Sequence, residues 1–146
     1  MTELIKKKQT HFYELLENII DFNDLGYNII LMGDFNGRCV DICPYTGKTI
    51  LKKVSSYNGE RLLRFIDASD LTILNTLGCC SGLFTRILNN QRSAIDYILM
   101  SKEMTQNVKS VFIEEEGKYD LHSDHFIIST DLELNLSIVI IQKGNQ

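Results

Sequence analysis

Three short segments place polar groups where a purely structural chain rarely needs them. The first is Gly33-Asp34-Phe35-Asn36-Gly37-Arg38, which follows directly on an apolar run. Asp34 offers a carboxylate able to orient or deprotonate a water, and Asn36 an amide able to donate to an oxyanion. Two residues apart in extended chain, they point to the same side. The plainer alternative is a turn, because Gly, Asp and Asn are ordinary turn residues. The second segment is Ser93-Ala94-Ile95-Asp96-Tyr97-Ile98-Leu99-Met100, where Asp96 stands among apolar neighbours. A buried carboxylate costs several kcal/mol unless it is paired, so Asp96 needs a dedicated partner or an edge facing water. The third is His122-Ser123-Asp124-His125-Phe126-Ile127-Ile128, in which His125 enters an apolar strand. An acid orienting an imidazole is a familiar solution, with Asp96 as the candidate acid and Asp124 left to face a metal or the nucleophile.

The elements that must carry these segments follow from hydrophobic periodicity. Phe12, Leu15, Leu16, Ile19 and Ile20 recur at helical spacing and predict an amphipathic helix ended by Asp24 and Gly26. Asn28 to Met32 is a short continuous apolar run that predicts a strand buried on both faces. Residues 37–57 read as an irregular surface excursion. A helix starting near Asn58 or Gly59 and ending near Asp70 presents Leu62, Leu63, Phe65 and Ile66, and Leu71 to Leu74 reads as a strand. Phe84 to Leu88 and Ala94 to Met100 read as antiparallel strands joined by Asn89-Asn90-Gln91. Val108 to Ile113 and His125 to Leu134 are further strands. This order predicts an α/β layered sandwich with a mixed sheet.

Composition sets the outer bounds. The 146 residues are 44% hydrophobic, enough for one domain with a real core. A net charge of -4 argues against gripping nucleic acid by bulk electrostatics, yet it suits an enzyme whose carboxylates are offset by a divalent cation. Cys39, Cys43, Cys79 and Cys80 fit neither a zinc-site spacing nor a secreted disulfide framework, so all four are expected to be reduced and metal-free. No signal peptide is visible, and the longest apolar runs, such as Ile138 to Ile141, are far short of a membrane span. The expectation is an intracellular protein, nuclear or cytoplasmic, with no membrane partner.

In combination, the three segments resemble the endonuclease/exonuclease/phosphatase superfamily, and most closely the endonuclease domains of non-LTR (LINE-type) retrotransposons, which are similar to apurinic/apyrimidinic endonucleases. The GDxN box at 33–38, the helix and strand at 58–76, Phe84-Thr85-Arg86, the IDY segment at 93–99 and the SDH segment at 123–128 occur in the family's order. The resemblance implies an α/β (α+β) fold: the C-terminal half of a four-layer α/β sandwich of the deoxyribonuclease I-like type, its mixed sheet mostly antiparallel with flanking helices. That half would occupy residues 1–134, with 135–146 a tail that adds at most one strand. It further implies that Asp34 activates or orients water, that Asn36 binds the scissile phosphate, and that Asp96 holds His125, which stabilises charge on the phosphoryl group. Asp124 would lie near Mg2+ (or Mn2+), and Arg38, Thr85, Arg86 and Tyr97 would support the site or face DNA. The family's N-terminal half supplies an early Asn and the main metal-ligating Glu, and nothing before the first helix here matches it. Three functions follow as expectations: a Mg-dependent nicking endonuclease completed by the missing half from another chain, without which this chain self-associates, an inactive remnant that binds a partner, or a phosphoesterase acting on phospholipids or phosphoinositides. The IDY segment speaks against the last.

Overall fold

A computed structural model describes residues 19, 25–39, 55–115 and 122–133. The predicted first helix, most of the excursion at 37–57 and the C-terminal tail lie outside these residues. The centre of the fold is β6 (Asp96–Ser101), flanked by β1 (Ile30–Asp34) and β2 (Leu71–Ile73), both antiparallel to it. Alternating residues of β6 feed two cores, as a strand's period of two requires. Tyr97 and Leu99 join Leu62, Phe65, Leu71 and Ile73 on one face. Ile98 and Met100 join Leu74, Cys80, Val111 and Ile113 on the other.

The first core is closed by α1 (Tyr57–Ala68). Ser56 caps its start by accepting from the Gly59 N–H at 3.1 Å, the usual way an orphan helix donor is satisfied. Leu62 and Phe65 are buried beneath it, and Leu63 and Ile66 pack alongside. The first turn lies directly on the chain leaving β1. A Cβ at Gly59 would stand 2.0 Å from the Arg38 carbonyl oxygen, so only glycine permits this approach. At the far end Asp70 takes the left-handed conformation, φ 48°, and turns the chain into β2. The second core is closed by a sheet of order β3–β7–β8, with β3 at Cys80–Ser81, β7 at Val108–Ile113 and β8 at Ile128–Leu132. The β3–β7 pair is parallel and β7–β8 antiparallel, so the sheets are mixed and mostly antiparallel, as expected.

Two expectations are corrected. The apolar run before Asp34 is not buried on both faces: Ile30 is 38% exposed and Met32 56%. The β7–β8 sheet covers β6 and leaves β1, an edge of its sheet among the described residues, open on that side. A run of apolar side chains does not by itself encode its place in the sheet. The hairpin partner of β4 (Arg86–Leu88) is β5 (Gln91–Ser93), not the strand at Ala94 to Met100. Asn89 and Asn90 both have positive φ, 48° and 61°, which makes a tight two-residue turn and sets Leu88 opposite Gln91. The chain then crosses through Ala94 and Ile95 to enter β6 in the other sheet.

Candidate active site

Asp34 ends β1 and Asp96 begins β6, and the register places them directly opposite one another. Two carboxylates therefore meet across one strand pair, the arrangement that a cation or a bridging donor must offset. Asp34 is exposed, and its Oδ1 accepts the Asn36 N–H at 2.7 Å. Asn36 has φ 51°, so this stretch is a turn rather than the extended chain the sequence suggested. The turn is fastened from three sides. Asn58 Nδ2 donates to the Asn36 carbonyl at 3.2 Å, and the Arg38 N–H donates to Ser56 Oγ at 2.9 Å. The Tyr97 hydroxyl lies 2.8 Å from both the Gly37 and the Ala94 carbonyl oxygens.

Asp96 has the dedicated partner its surroundings demand. The Thr85 hydroxyl donates to Asp96 Oδ2 at 2.5 Å, and His125 Nδ1 lies 2.9 Å from Oδ1. Thr85 Oγ1 also accepts the N–H groups of Ile95 and Asp96, each at 3.0 Å. A carboxylate oxygen accepts, so Nδ1 is the imidazole donor and Nε2 is turned to the side of Asp124. His125 does not sit inside a regular strand. It makes an isolated bridge to Arg86, and Ser123 Oγ accepts its N–H at 3.1 Å. Asn75 is a positioning residue that motif reading passed over. Its Nδ2 donates to the Asp96 carbonyl and its Oδ1 accepts the Ile98 N–H, both at 3.0 Å. It thus continues the ladder of β6 where β2 has already turned away.

Among the suggested substrate-facing residues, Tyr97 and Thr85 are corrected. They are 3% and 0% exposed, so neither can touch a nucleic acid, and both act as internal fasteners. Burial pushes the Tyr97 phenol well above its ordinary value, with the neighbouring Cys39 adding to the shift. Arg38 is exposed on the rim. Arg86 turns to Asp124, with Nε 2.6 Å from Oδ2. That hydrogen bond holds the Asp124 carboxyl below the usual carboxylate range. Asp124 Oδ1 is 3.9 Å from His125 Nε2, so the imidazole stands between Asp96 and Asp124.

Ligand atoms of Asp34, Asp96 and His125 all lie within 4.8 Å of one another. Asp96 is the least available of the three, because Thr85 and His125 engage its two oxygens. Asp34 keeps one oxygen clear of the Asn36 bond, and Asp124 keeps Oδ1 clear of Arg86. Magnesium keeps several waters and needs only one or two carboxylates beside substrate phosphate, so the free Asp34 oxygen within the Asp34–Asp96–His125 cluster fits it. Cys39, Cys79 and Cys80 are not disulfide-bonded, and Cys43 lies outside the described residues. No helix among the described residues is long and apolar enough to cross a membrane.

The fold is shared with solved nucleases. The 3'-5' exonuclease NExo from Neisseria meningitidis superposes with a TM-score of 0.67 at 22% identity, covering 91% of this chain and 56% of the exonuclease. The same TM-score and identity hold for a Neisseria NExo structure described as a 3' phosphatase bound to product DNA hairpin. The endonuclease domain of TRAS1, a telomere-specific non-LTR retrotransposon, gives 0.58 at 16% identity, covering 87% of this chain and 52% of that domain. The chain therefore spans about half the length of the solved proteins it matches. No curated protein sequence matches it. The sequence does match the profile described as endonuclease-reverse transcriptase over residues 5–129, and the chain belongs to that family, within the endonuclease/exonuclease/phosphatase superfamily.

Proposed function

We propose that this chain is the C-terminal half of a divalent-metal-dependent endonuclease that nicks DNA by phosphodiester hydrolysis, and that it needs a matching N-terminal half for activity. The observation that carries the reading is the Asp96–His125 pair, 2.9 Å apart, opening beside Asp34 on the adjacent strand. Asp34, exposed and, among the described residues, without a basic partner in the Asx turn it makes with Asn36, is suited to orient and deprotonate a water. Asn36 is suited to donate to the scissile phosphate. With Nδ1 committed to Asp96, the Nε2 of His125 is the nitrogen left to meet a phosphoryl oxygen. Asp34 and Asp124 would hold magnesium or manganese. When bound, such an ion supplies charge neutralisation on the phosphate.

The need for a second half rests on the match to about half of each solved neighbour and on the face of β1 that no element among the described residues covers. Ile30, Met32 and Asp34 share that face, an apolar row running up to the site. A layered fold buries its sheets between layers, so an uncovered row favours a missing partner and, without one, self-association. The test is nicking of supercoiled plasmid in magnesium. The 146-residue chain alone gives no cleavage, and adding a matching N-terminal half restores it. Asp34→Ala or His125→Ala then removes the restored activity by about 10²–10³-fold or more. Magnesium-dependent nicking by the chain alone, lost in His125→Ala, would overturn the need for a second half. An inert completed pair would favour an interaction role instead.

A further inference from the structure

We propose that Arg86 is a built-in counter-cation that competes with the divalent ion for Asp124, so that metal and guanidinium displace one another there and a phosphate that draws the guanidinium away strengthens metal binding. The inference rests on the metal-dependent reading above. Asp96 is engaged through both oxygens, and Asp124 adds a carboxylate beside the Asp34–Asp96–His125 cluster, its Oδ1 3.9 Å from His125 Nε2. Arg86 already holds one oxygen of Asp124 at 2.6 Å, a short charge-assisted contact.

This is not a loose pairing of two long surface side chains. The segment 85–87 is stitched to 124–126 by its backbone. The Ile87 N–H donates to the Asp124 carbonyl at 2.8 Å, the Phe126 N–H to the Thr85 carbonyl at 2.7 Å, and Arg86 is bridged to His125. Both side chains are about one-third exposed, at 29% and 36%, so their attraction is less screened than at an open surface while still reachable by substrate. The pair carries the charge that a metal would otherwise bring to Asp124. The contact uses only Nε, one of the guanidinium's five N–H donors, and a guanidinium binds phosphate readily through the others. A phosphate that takes the guanidinium would release Asp124 to the ion, so phosphate and metal would each favour the other's binding.

The experiment measures Mn2+ binding by the electron-spin resonance of the free ion, on the full chain without nucleic acid. Arg86→Gln should bind Mn2+ about tenfold more tightly than the unmodified chain, within the usual range of coupling between sites. Combining Arg86→Gln with Asp124→Asn should remove that gain. Equal or weaker binding by Arg86→Gln, or a gain that survives Asp124→Asn, overturns the proposal alone. Failure of every variant to bind Mn2+ overturns the proposal alone, because the metal-dependent reading is tested separately by nicking with the completed pair. A measurement on the unmodified chain guards against a variant that does not fold. During a Mg2+ titration followed by NMR, the Arg86 Nε–H should move to the shift and solvent exchange of a free guanidinium. An unchanged Nε–H resonance at saturating Mg2+ overturns the proposal.

Discussion

Strands β1 and β6 lie side by side, are both rich in Ile, Leu and Met, and meet at their aspartates, yet they have opposite roles. Ile98, Leu99 and Met100 of β6 are wholly buried, while Ile30 and Met32 of β1 face solvent. The difference comes from neighbours rather than composition. The β6 strand has strands on both sides, α1 below and the second sheet above. The β1 strand has β6 on one side and, among the described residues, no second sheet over Ile30 and Met32. The two carboxylates inherit this contrast. Asp96 is locked by Thr85, His125 and Asn75, whereas the Asp34 carboxylate, among the described residues, is hydrogen-bonded to its own turn alone. The arrangement holds Asp96 still and leaves Asp34 exposed.

The largest expected effect tests the burial contrast directly. Leu99→Ala should destabilise the chain by about 2–5 kcal/mol, because it empties a side-chain volume from a closed core. Met32→Ala, although it removes an apolar side chain of comparable size, should stay within about 0.5 kcal/mol. Urea unfolding of both variants decides the matter. A large loss in Met32→Ala would mean that β1 is covered in solution, by another copy or by the rest of the chain.

A smaller effect separates the two aspartates. Thr85→Val keeps the shape but leaves the Ile95 and Asp96 N–H groups without their acceptor and Asp96 without its hydroxyl donor. That should cost about 1–3 kcal/mol. Asp34→Ala removes only an exposed carboxylate and a turn contact, so it should change stability by less than about 0.5 kcal/mol. Both should abolish nicking by the completed enzyme. If Asp34→Ala unfolds the chain as readily as Thr85→Val, the division between a held and an open carboxylate fails.

The pairing of Asp96 with His125 was more legible in the sequence than the packing. Asp96 and His125 stand out because a charged or titratable group inside an apolar run must have a partner, and each turned out to be the other's. Helix α1 was legible from Leu62, Leu63, Phe65 and Ile66, whose spacing is the helical period. The exposure of β1 was not, since the same run of Ile, Leu and Met suits a central strand and an edge strand equally. The hairpin was displaced for a similar reason: the apolar content of β6 drew attention away from the polar Gln91–Ser93, whose register is set by two asparagines in a turn. The resemblance leaves Thr85 and Tyr97 either supporting the site or facing DNA, because a motif does not say which way a side chain turns. Only the three-dimensional arrangement shows their hydroxyls turned inward to Asp96 and to the carbonyls of Gly37 and Ala94. Asn75 left no signal in the motifs, because a side chain that imitates a neighbouring strand depends on where β2 ends.

The smallest effect concerns how the chain returns from the exposed strand to the core. Five residues beyond β1, Cys39 is 4% exposed and lies against Tyr97 of β6, so the seam between the two strands contains a thiol. Burial pushes that thiol from 9.0 up to about 11, while the Tyr97 hydroxyl beside it pulls weakly the other way. In the unfolded chain the thiol ionises first, so above the ordinary value the native state binds the extra proton. Stability contributed by the neutral thiol is therefore whole below pH 9.0 and lost as pH rises toward about 11. The loss should reach about 1–2 kcal/mol by a pH midway through that window. Because lysines and tyrosines also titrate there, the quantity to measure is the difference in urea midpoint between the unmodified chain and Cys39→Ala at pH 8 and again at high pH. The gap should narrow as pH rises. On the native chain, a thiol reagent at pH 8 should modify the exposed Cys79 well before Cys39. Equal labelling rates, or a pH-independent gap, would show that the seam beneath β1 is open to water and that the core begins only at β6.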